Sequence, residues 1–228
     1  MTASNHITVL LADDHAILRQ GLRWLLHADG HFRVVSEART GREAVAMAQS
    51  FQPDVILMDI GMPLLNGLEA TRQILVANPK AKIVILSAHT DDEYVRHMID
   101  AGAVGFLEKH TSSKILTKAL AAAAKGVTFF SPSILKRLRD AQRRALSPVG
   151  LLKRNRLRLT SRETEVLQLV AEGLGNKQVA SELVISIKTV EKHRQSLMDK
   201  LNIHDTAGLT RYAITVGVIT VDAQLIVV

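Results

Sequence analysis

Cysteine is absent from all 228 residues. Its absence excludes disulfide scaffolds and thiolate metal centres. Long apolar runs are missing as well, since nothing approaches the roughly 18 to 20 consecutive apolar residues that cross a bilayer. Membrane insertion is excluded on that ground. No basic-then-apolar leader opens the chain, because in MTASNHITVLLADD the acids follow directly on a short apolar run, which predicts a cytosolic protein. What is present is a hydrophobic content of 47%, too high for global disorder. The length fits one large or two small domains, each able to bury a core. A formal net charge of +7 points to an anionic partner, most directly nucleic acid.

That charge is unevenly placed. Residues 1–128 carry 13 basic and 13 acidic side chains, whereas residues 129–228 carry 16 and 9. Within the second half, residues 136–158 hold nine basic side chains against one acid, Asp140, and everything from Leu159 onward holds seven against eight. The sequence therefore reads as a neutral domain, a strongly basic connector and a nearly neutral C-terminal domain.

Aliphatic or β-branched runs recur at residues 7–12, 33–37, 54–58, 82–86 and 104–107, separated by stretches with helical spacing of apolar residues. Five βα repeats predict a doubly wound, five-stranded parallel sheet with helices on both faces, a flavodoxin-like α/β fold. In such sheets the working groups gather beyond the carboxyl ends of the strands. The first run ends in Asp13-Asp14, the third in Asp59 and the fourth in Ser87, and Lys109 follows the fifth. Crowded carboxylates repel one another, and a hard divalent cation such as Mg²⁺, which prefers oxygen ligands, resolves the conflict. Asp59, ahead of the Gly61-Met62-Pro63 turn, is the expected nucleophile toward a phosphoryl group, with Lys109 neutralising its oxygens. Asp14, helped by Asp13, would hold the cation together with Asp59 and the Gly61 carbonyl. Taken singly, Asp13 or Asp14 reads as a helix cap, Ser87 as a turn hydroxyl and Lys109 as a solvated charge; the coincidence at four strand ends favours function. His15, His89 and His97 lack metal-ligand spacing and are expected at the surface or at caps.

The segments Leu10-Leu11-Ala12-Asp13-Asp14-His15, Leu57-Met58-Asp59-Ile60-Gly61-Met62-Pro63, Leu86-Ser87-Ala88 and Phe106-Leu107-Glu108-Lys109 resemble the receiver domain of a two-component response regulator over residues 6–126. The resemblance implies that Asp59 takes a phosphoryl group from the phosphohistidine of a sensor histidine kinase. It further implies that Ser87, followed by Ala88, moves to bind that group, and that Phe106 rotates inward. Two departures stand out. Phe106 lacks the hydroxyl of the commoner tyrosine, so an inward state rests on packing alone, and Lys109 is followed by His110 where the family commonly has proline.

Residues 127–155 read as a basic, partly helical linker. Ser131-Pro132 offers a cap and a first helical residue, and Ile134, Leu138, Ala141 and Ala145 recur at helical spacing. This segment either lies on phosphate, packs on the first domain, pairs with its copy, or is a solvated spacer. Beyond it, Thr160-Ser161-Arg162-Glu163 has capping-box spacing and opens a helix with the apolar stripe Val166, Leu167 and Val170. A short helix from Asn176 follows a glycine-containing turn, and Ser186 caps a third helix running to Leu201. Val190, Leu197 and Leu201 mark its inner side, leaving Lys188, Lys192, Gln195 and Asp199 on the other. This is the plan of a helix-turn-helix reader in an all-α four-helix domain. His193 is expected as a packed structural residue.

Leu159-Thr160-Ser161-Arg162-Glu163, Gly173-Leu174-Gly175-Asn176-Lys177-Gln178-Val179-Ala180 and Ser186-Ile187-Lys188-Thr189-Val190-Glu191-Lys192-His193 resemble the LuxR-type DNA-binding domain over residues 156–220, leaving a tail at 221–228. Together the two halves look like a response regulator of the NarL/FixJ family. The resemblance implies double-stranded promoter DNA and a sensor histidine kinase as partners, a homodimer on DNA through the fourth helix, and room for a contact with RNA polymerase. Lys188, Thr189 and Asn176, with Lys177 beside them, are assigned to phosphates, and Glu191, Lys192 and Gln195 to base edges. Glu191 either accepts from cytosine or holds Lys188 or Gln195 in place. Self-phosphorylation and self-dephosphorylation at Asp59 are the only chemistry expected. Two other readings remain at this point: a phosphate sink or protein-interaction switch with the C-terminal domain as a dimer module, and a metal-dependent phosphohydrolase. The second is disfavoured because Gly61 stands where such enzymes place an acid/base aspartate.

Overall fold

The computed structural model describes residues 6–88, 92–131, 134–136 and 159–219; His89, most of the expected connector helix, Arg154, Arg156, Arg158 and the tail lie outside the described residues. The chain runs β1 (Ile7–Ala12), α1 (Ala16–Asp29), β2 (Phe32–Ala38), α2 (Gly41–Phe51), β3 (Val55–Met58), α3 (Gly67–Ala77), β4 (Ile83–Ser87), α4 (Asp92–Asp100), β5 (Gly105–Glu108), α5 (Ser113–Ala124) and β6 (Phe129–Phe130). All strand pairs are parallel, in the order β2-β1-β3-β4-β5-β6. Successive side chains leave a strand on opposite faces, and here both faces are covered. Leu10, Ile56, Met58, Ile83 and Ile85 pack under α2, α3 and α4 with Ala44, Ile74 and Met98. Val9, Leu11, Val55, Leu57, Val84 and Leu86 pack under α1 and α5 with Leu26, Leu116 and Leu120. This double covering explains why the strands read as nearly continuous apolar runs.

The sheet has one strand more than the sequence pattern predicts. Phe129 and Phe130 pair with Gly105 and Phe106 at the edge, a two-residue strand too short to show any periodicity. Just beyond it, Ile134 is fully buried in the same cluster as Phe106.

The C-terminal unit comprises α6 (Ser161–Ala171), α7 (Asn176–Glu182), α8 (Ile187–Leu201) and α9 (Thr206–Thr215) around Val166, Leu167, Val170, Val179, Val190, Leu197, Leu209 and Ala213. Its helix starts are chemically marked. Thr160 and Glu163 form a reciprocal capping box, while Ser186 and Asp205 accept from the Thr189 and Gly208 amides.

The two units touch through α6, whose residues from Glu163 to Val170 are all buried. Its apolar side enters the C-terminal core, Gln168 and Glu172 meet the loop between β3 and α3, and Glu165 meets α2 and α3. Gln168 accepts from the Asn66 amide at 2.8 Å and donates to the Met62 carbonyl at 3.0 Å. The Leu64 amide donates to the Glu172 carboxylate at 3.2 Å. Gln73 donates to Glu165 at 2.9 Å, Asn66 donates to the Val218 carbonyl at 3.1 Å, and Ser161 donates to Glu69. Arg42 pairs with Glu165 at 3.3 Å and Glu182 at 2.9 Å. Leu64 packs onto the C-terminal core from a left-handed backbone conformation, φ 64, which non-glycine residues rarely adopt.

Candidate phosphoacceptor site and nucleic-acid interface

Extension of the strand ladder places the acids. The Asp59 amide donates to the Ala12 carbonyl at 2.8 Å and the Asp13 amide to the Ala38 carbonyl at 3.1 Å, so both side chains leave the sheet at its carboxyl edge. Both are almost fully buried, at 3% and 4% exposure for Asp13 and Asp59. Lys109 reaches in from the end of β5, with Nζ 2.7 Å from Asp59 Oδ2 and 2.9 Å from Asp13 Oδ2. Its amide donates to the Ser87 carbonyl at 2.9 Å, which ties the ends of β4 and β5 together. The second Asp59 oxygen accepts from the Ile60 amide at 2.8 Å. Gly67 is required here: a Cβ on it would lie 1.9 Å from the Asp59 carbonyl oxygen.

Charge in the pocket is unbalanced. Burial pushes the Asp59 carboxyl above its usual range and the Asp13 charge adds to this, against the pull of Lys109. Burial alone would lower Lys109, but the charge and hydrogen bond of Asp59, followed by those of Asp13, outweigh it and raise the amine. Asp13 Oδ2 and Asp14 Oδ1 are buried and accept no well-directed hydrogen bond. Lys109 lies within 2.9 Å of the first and His15 within 2.8 Å of the second, close enough for charge contact but poorly aimed. Carboxylate oxygens of Asp13, Asp14 and Asp59 gathered within 4.8 Å of one another are the donor set a hard divalent cation takes.

Asp13, Asp14, Asp59 and Lys109 are thus brought together as the sequence predicts. Ser87 is buried at the end of β4, Ala88 is exposed just past it, and Gly61 is partly buried in the loop after Asp59. Phe106 is fully buried in one cluster with Ile85, Met98 and Ile134. No peptide bond is cis among the described residues, including Lys109-His110. Two neighbours escape the sequence reading. Arg19, buried in α1, donates to the Asp13 carbonyl at 2.6 Å. His15 is exposed at the N-cap of α1, as expected for a surface or capping position, but its side chain makes no capping bond and lies beside the acids. Lying two and six residues after Asp13, His15 and Arg19 carry no mark in sequence that would have singled them out.

On the C-terminal unit, Lys177, Lys188, Glu191, Lys192 and Gln195 are exposed and Thr189 is partly buried. The α8 face that the sequence assigns to DNA is therefore open while α6 is docked. Two residues are more constrained than expected. Asn176 Oδ1 accepts from Arg194 at 2.9 Å and so braces α7 against α8. Gln195 donates to Asp199 at 2.7 Å, which fixes its amide. His193 is partly buried on the inner side. Val184, exposed at 90% in the turn before α8, and Ile187, exposed at 45%, add apolar surface to this face.

The family models for "Response regulator receiver domain" and "Bacterial regulatory proteins, luxR family" match residues 9–121 and 157–213. The transcriptional regulatory protein DegU of Brevibacillus brevis is 36% identical over 212 residues, 88% of this chain and 90% of that protein. The transcriptional regulatory protein LiaR of Bacillus subtilis is 38% identical over 211 residues, 91% of this chain and 96% of that protein. Among solved structures, a complex of the two-component response regulator RcsB with DNA has 28% sequence identity and a TM-score of 0.57, covering 91% of this chain and 98% of that one. The strand-end acids, the docked four-helix unit and these relatives agree, and the chain belongs to the NarL/FixJ family of response regulators, a receiver joined to a LuxR-type DNA-binding domain.

Proposed function

We propose that this DNA-binding transcription regulator is switched by phosphorylation of Asp59. The observation that carries the reading is the contact of Lys109 with Asp59, 2.7 Å, in a buried pocket that also gathers Asp13 and Asp14. In the reaction, an Asp59 carboxylate oxygen attacks phosphorus on a sensor kinase phosphohistidine. A P–O bond forms, the P–N bond breaks and the imidazole leaves, yielding an acyl phosphate. Lys109 is placed to neutralise charge on the transferred oxygens, and the Ser87 hydroxyl and the loop at Ala88 to receive them. Phe106 belongs to the same switch. Asp13, Asp14, Asp59 and the Gly61 carbonyl would hold Mg²⁺, which when bound supplies charge neutralisation at the phosphoryl group.

The response passes through the loop that follows Asp59. Residues 60–66 connect the acceptor to α3, and their backbone is held by Gln168 and Glu172 of α6. This contact is mainly polar and desolvates a carboxyl group, since burial raises Glu172 above its usual range. Such a surface suits reversible docking better than a fused core does. Because the α8 face is open in the docked form, control acts on release of the domain and on dimer geometry rather than on covering the reading face. Lys188, Thr189, Asn176 and Lys177 serve phosphates and Glu191, Lys192 and Gln195 base edges of promoter DNA, with pairing through α9 and a surface left for RNA polymerase. RcsB, solved in complex with DNA, supports the DNA partner.

The test is incorporation of phosphate from acetyl phosphate with Mg²⁺. Wild type is expected to take up one phosphoryl group per chain and Asp59→Ala none. Equal incorporation by both would remove Asp59 from the acceptor role.

A further inference from the structure

Among the described residues, Thr40, Asn66, Thr160, Ser186 and Asp205 each accept from a backbone amide at a helix N-cap, whereas Ser112 does not. His15 occupies the same position on α1 and makes no such bond. Its imidazole turns back toward the acids instead. Nδ1 lies 2.8 Å from Asp14 Oδ1 and 3.1 Å from Asp13 Oδ1, and the His15 amide donates to Asp13 Oδ1 at 2.8 Å. One ligand atom from each of Asp13, Asp14, His15 and Asp59 falls within 4.8 Å of all the others. Independently, Asp14 Oδ1, 2.8 Å from His15 Nδ1, is a buried oxygen with no directed hydrogen bond.

We propose that His15 Nδ1 is a ligand of the cation site, which makes that site mixed oxygen and nitrogen rather than all-oxygen. The inference rests on reading the pocket as a cation site. A nitrogen donor adds little for Mg²⁺, which prefers oxygen, but imidazole suits Mn²⁺, Co²⁺, Ni²⁺ and Zn²⁺. Ligation needs a neutral ring with its proton on Nε2. Because the side chain is 52% exposed, that proton has an outlet to solvent and need not be buried. His15 therefore shifts the selectivity of the site toward transition metals while leaving Mg²⁺ binding to the carboxylates. The protein then carries a built-in sensitivity of its acceptor pocket to which divalent metal is available.

The experiment uses the untagged full-length chain, with nitrogen-14 modulation in pulsed electron paramagnetic resonance of bound Mn²⁺ and calorimetric titration with Mg²⁺ and Mn²⁺. Wild type should show imidazole nitrogen coupling, absent in His15→Ala and in His15→Gln, and the ratio of Mn²⁺ to Mg²⁺ affinity should fall by about tenfold in both. Since the side chain does not cap α1, these variants are expected to fold. Mg²⁺ binding that Asp13→Asn abolishes, combined with an unchanged metal ratio or nitrogen coupling that survives in His15→Ala, overturns the His15 assignment and leaves the cation site standing. Failure of either ion to bind wild type overturns both.

Discussion

Asp59 sits in a compromise between chemistry and stability. To serve as the proposed acceptor its side chain must be ionised, yet burial and the neighbouring Asp13 charge raise its pKa. A buried acid with a raised pKa binds its proton more readily in the folded than in the unfolded chain. Its favourable contribution is present at low pH and is lost as pH rises through the folded pKa. Asp59→Asn should therefore stabilise the protein near neutral pH by about 0.5 to 2 kcal/mol, with the gain shrinking as the pH falls through the raised pKa. Urea unfolding at several pH values measures this, and a variant less stable than wild type at neutral pH would contradict it. Asp13, Asp14, Asp59 and Lys109 were legible in the sequence because each ends or follows an apolar run. His15 and Arg19 were not, because only the folded turn after β1 decides whether a side chain there caps its helix or faces the acids.

Elements were readable where one physical signal dominated. Strands covered on both faces appear as apolar runs, and helices with a hydroxyl or carboxylate cap announce their start. β6 gives no such signal, and neither does the second face of α6. Glu165, Gln168 and Glu172 carry no signal in the sequence, yet all three are engaged by the receiver. The loop that Gln168 and Glu172 grip is shaped by two glycines. A Cβ on Gly41 would lie 2.0 Å from the Leu65 carbonyl oxygen, and one on Gly67 would lie 1.9 Å from that of Asp59. Backbone atoms cannot yield as a flexible side chain does. Gly67→Ala is expected to cost about 2 to 3 kcal/mol in chemical denaturation and to reduce phosphate incorporation by displacing Asp59. Unchanged stability together with unchanged incorporation would show that the loop has slack the geometry does not indicate.

For the whole molecule, net charge misleads unless it is divided. The C-terminal unit is nearly neutral, and in the proposed reading its specificity comes from a few side chains on α8, whereas residues 136–158 hold nine of the basic groups. Neutralising Arg154, Arg156 and Arg158 should flatten the salt dependence of DNA binding and leave sequence preference intact. An unchanged slope in a salt titration would reduce the connector to a spacer. The coupling between the two units was the part least visible in sequence, because a polar docking surface differs from a solvated one only by what covers it. The absence of cysteine makes that coupling directly measurable. Spin labels at Lys80→Cys and His204→Cys, both exposed positions on opposite sides of the docking contact, report the distance between the units by double electron–electron resonance. The account predicts a single narrow distribution in the unphosphorylated protein, which broadens or shifts on treatment with acetyl phosphate and Mg²⁺, and no change in an Asp59→Ala background. A narrow distribution unaltered in fully phosphorylated protein would contradict control through release of α6.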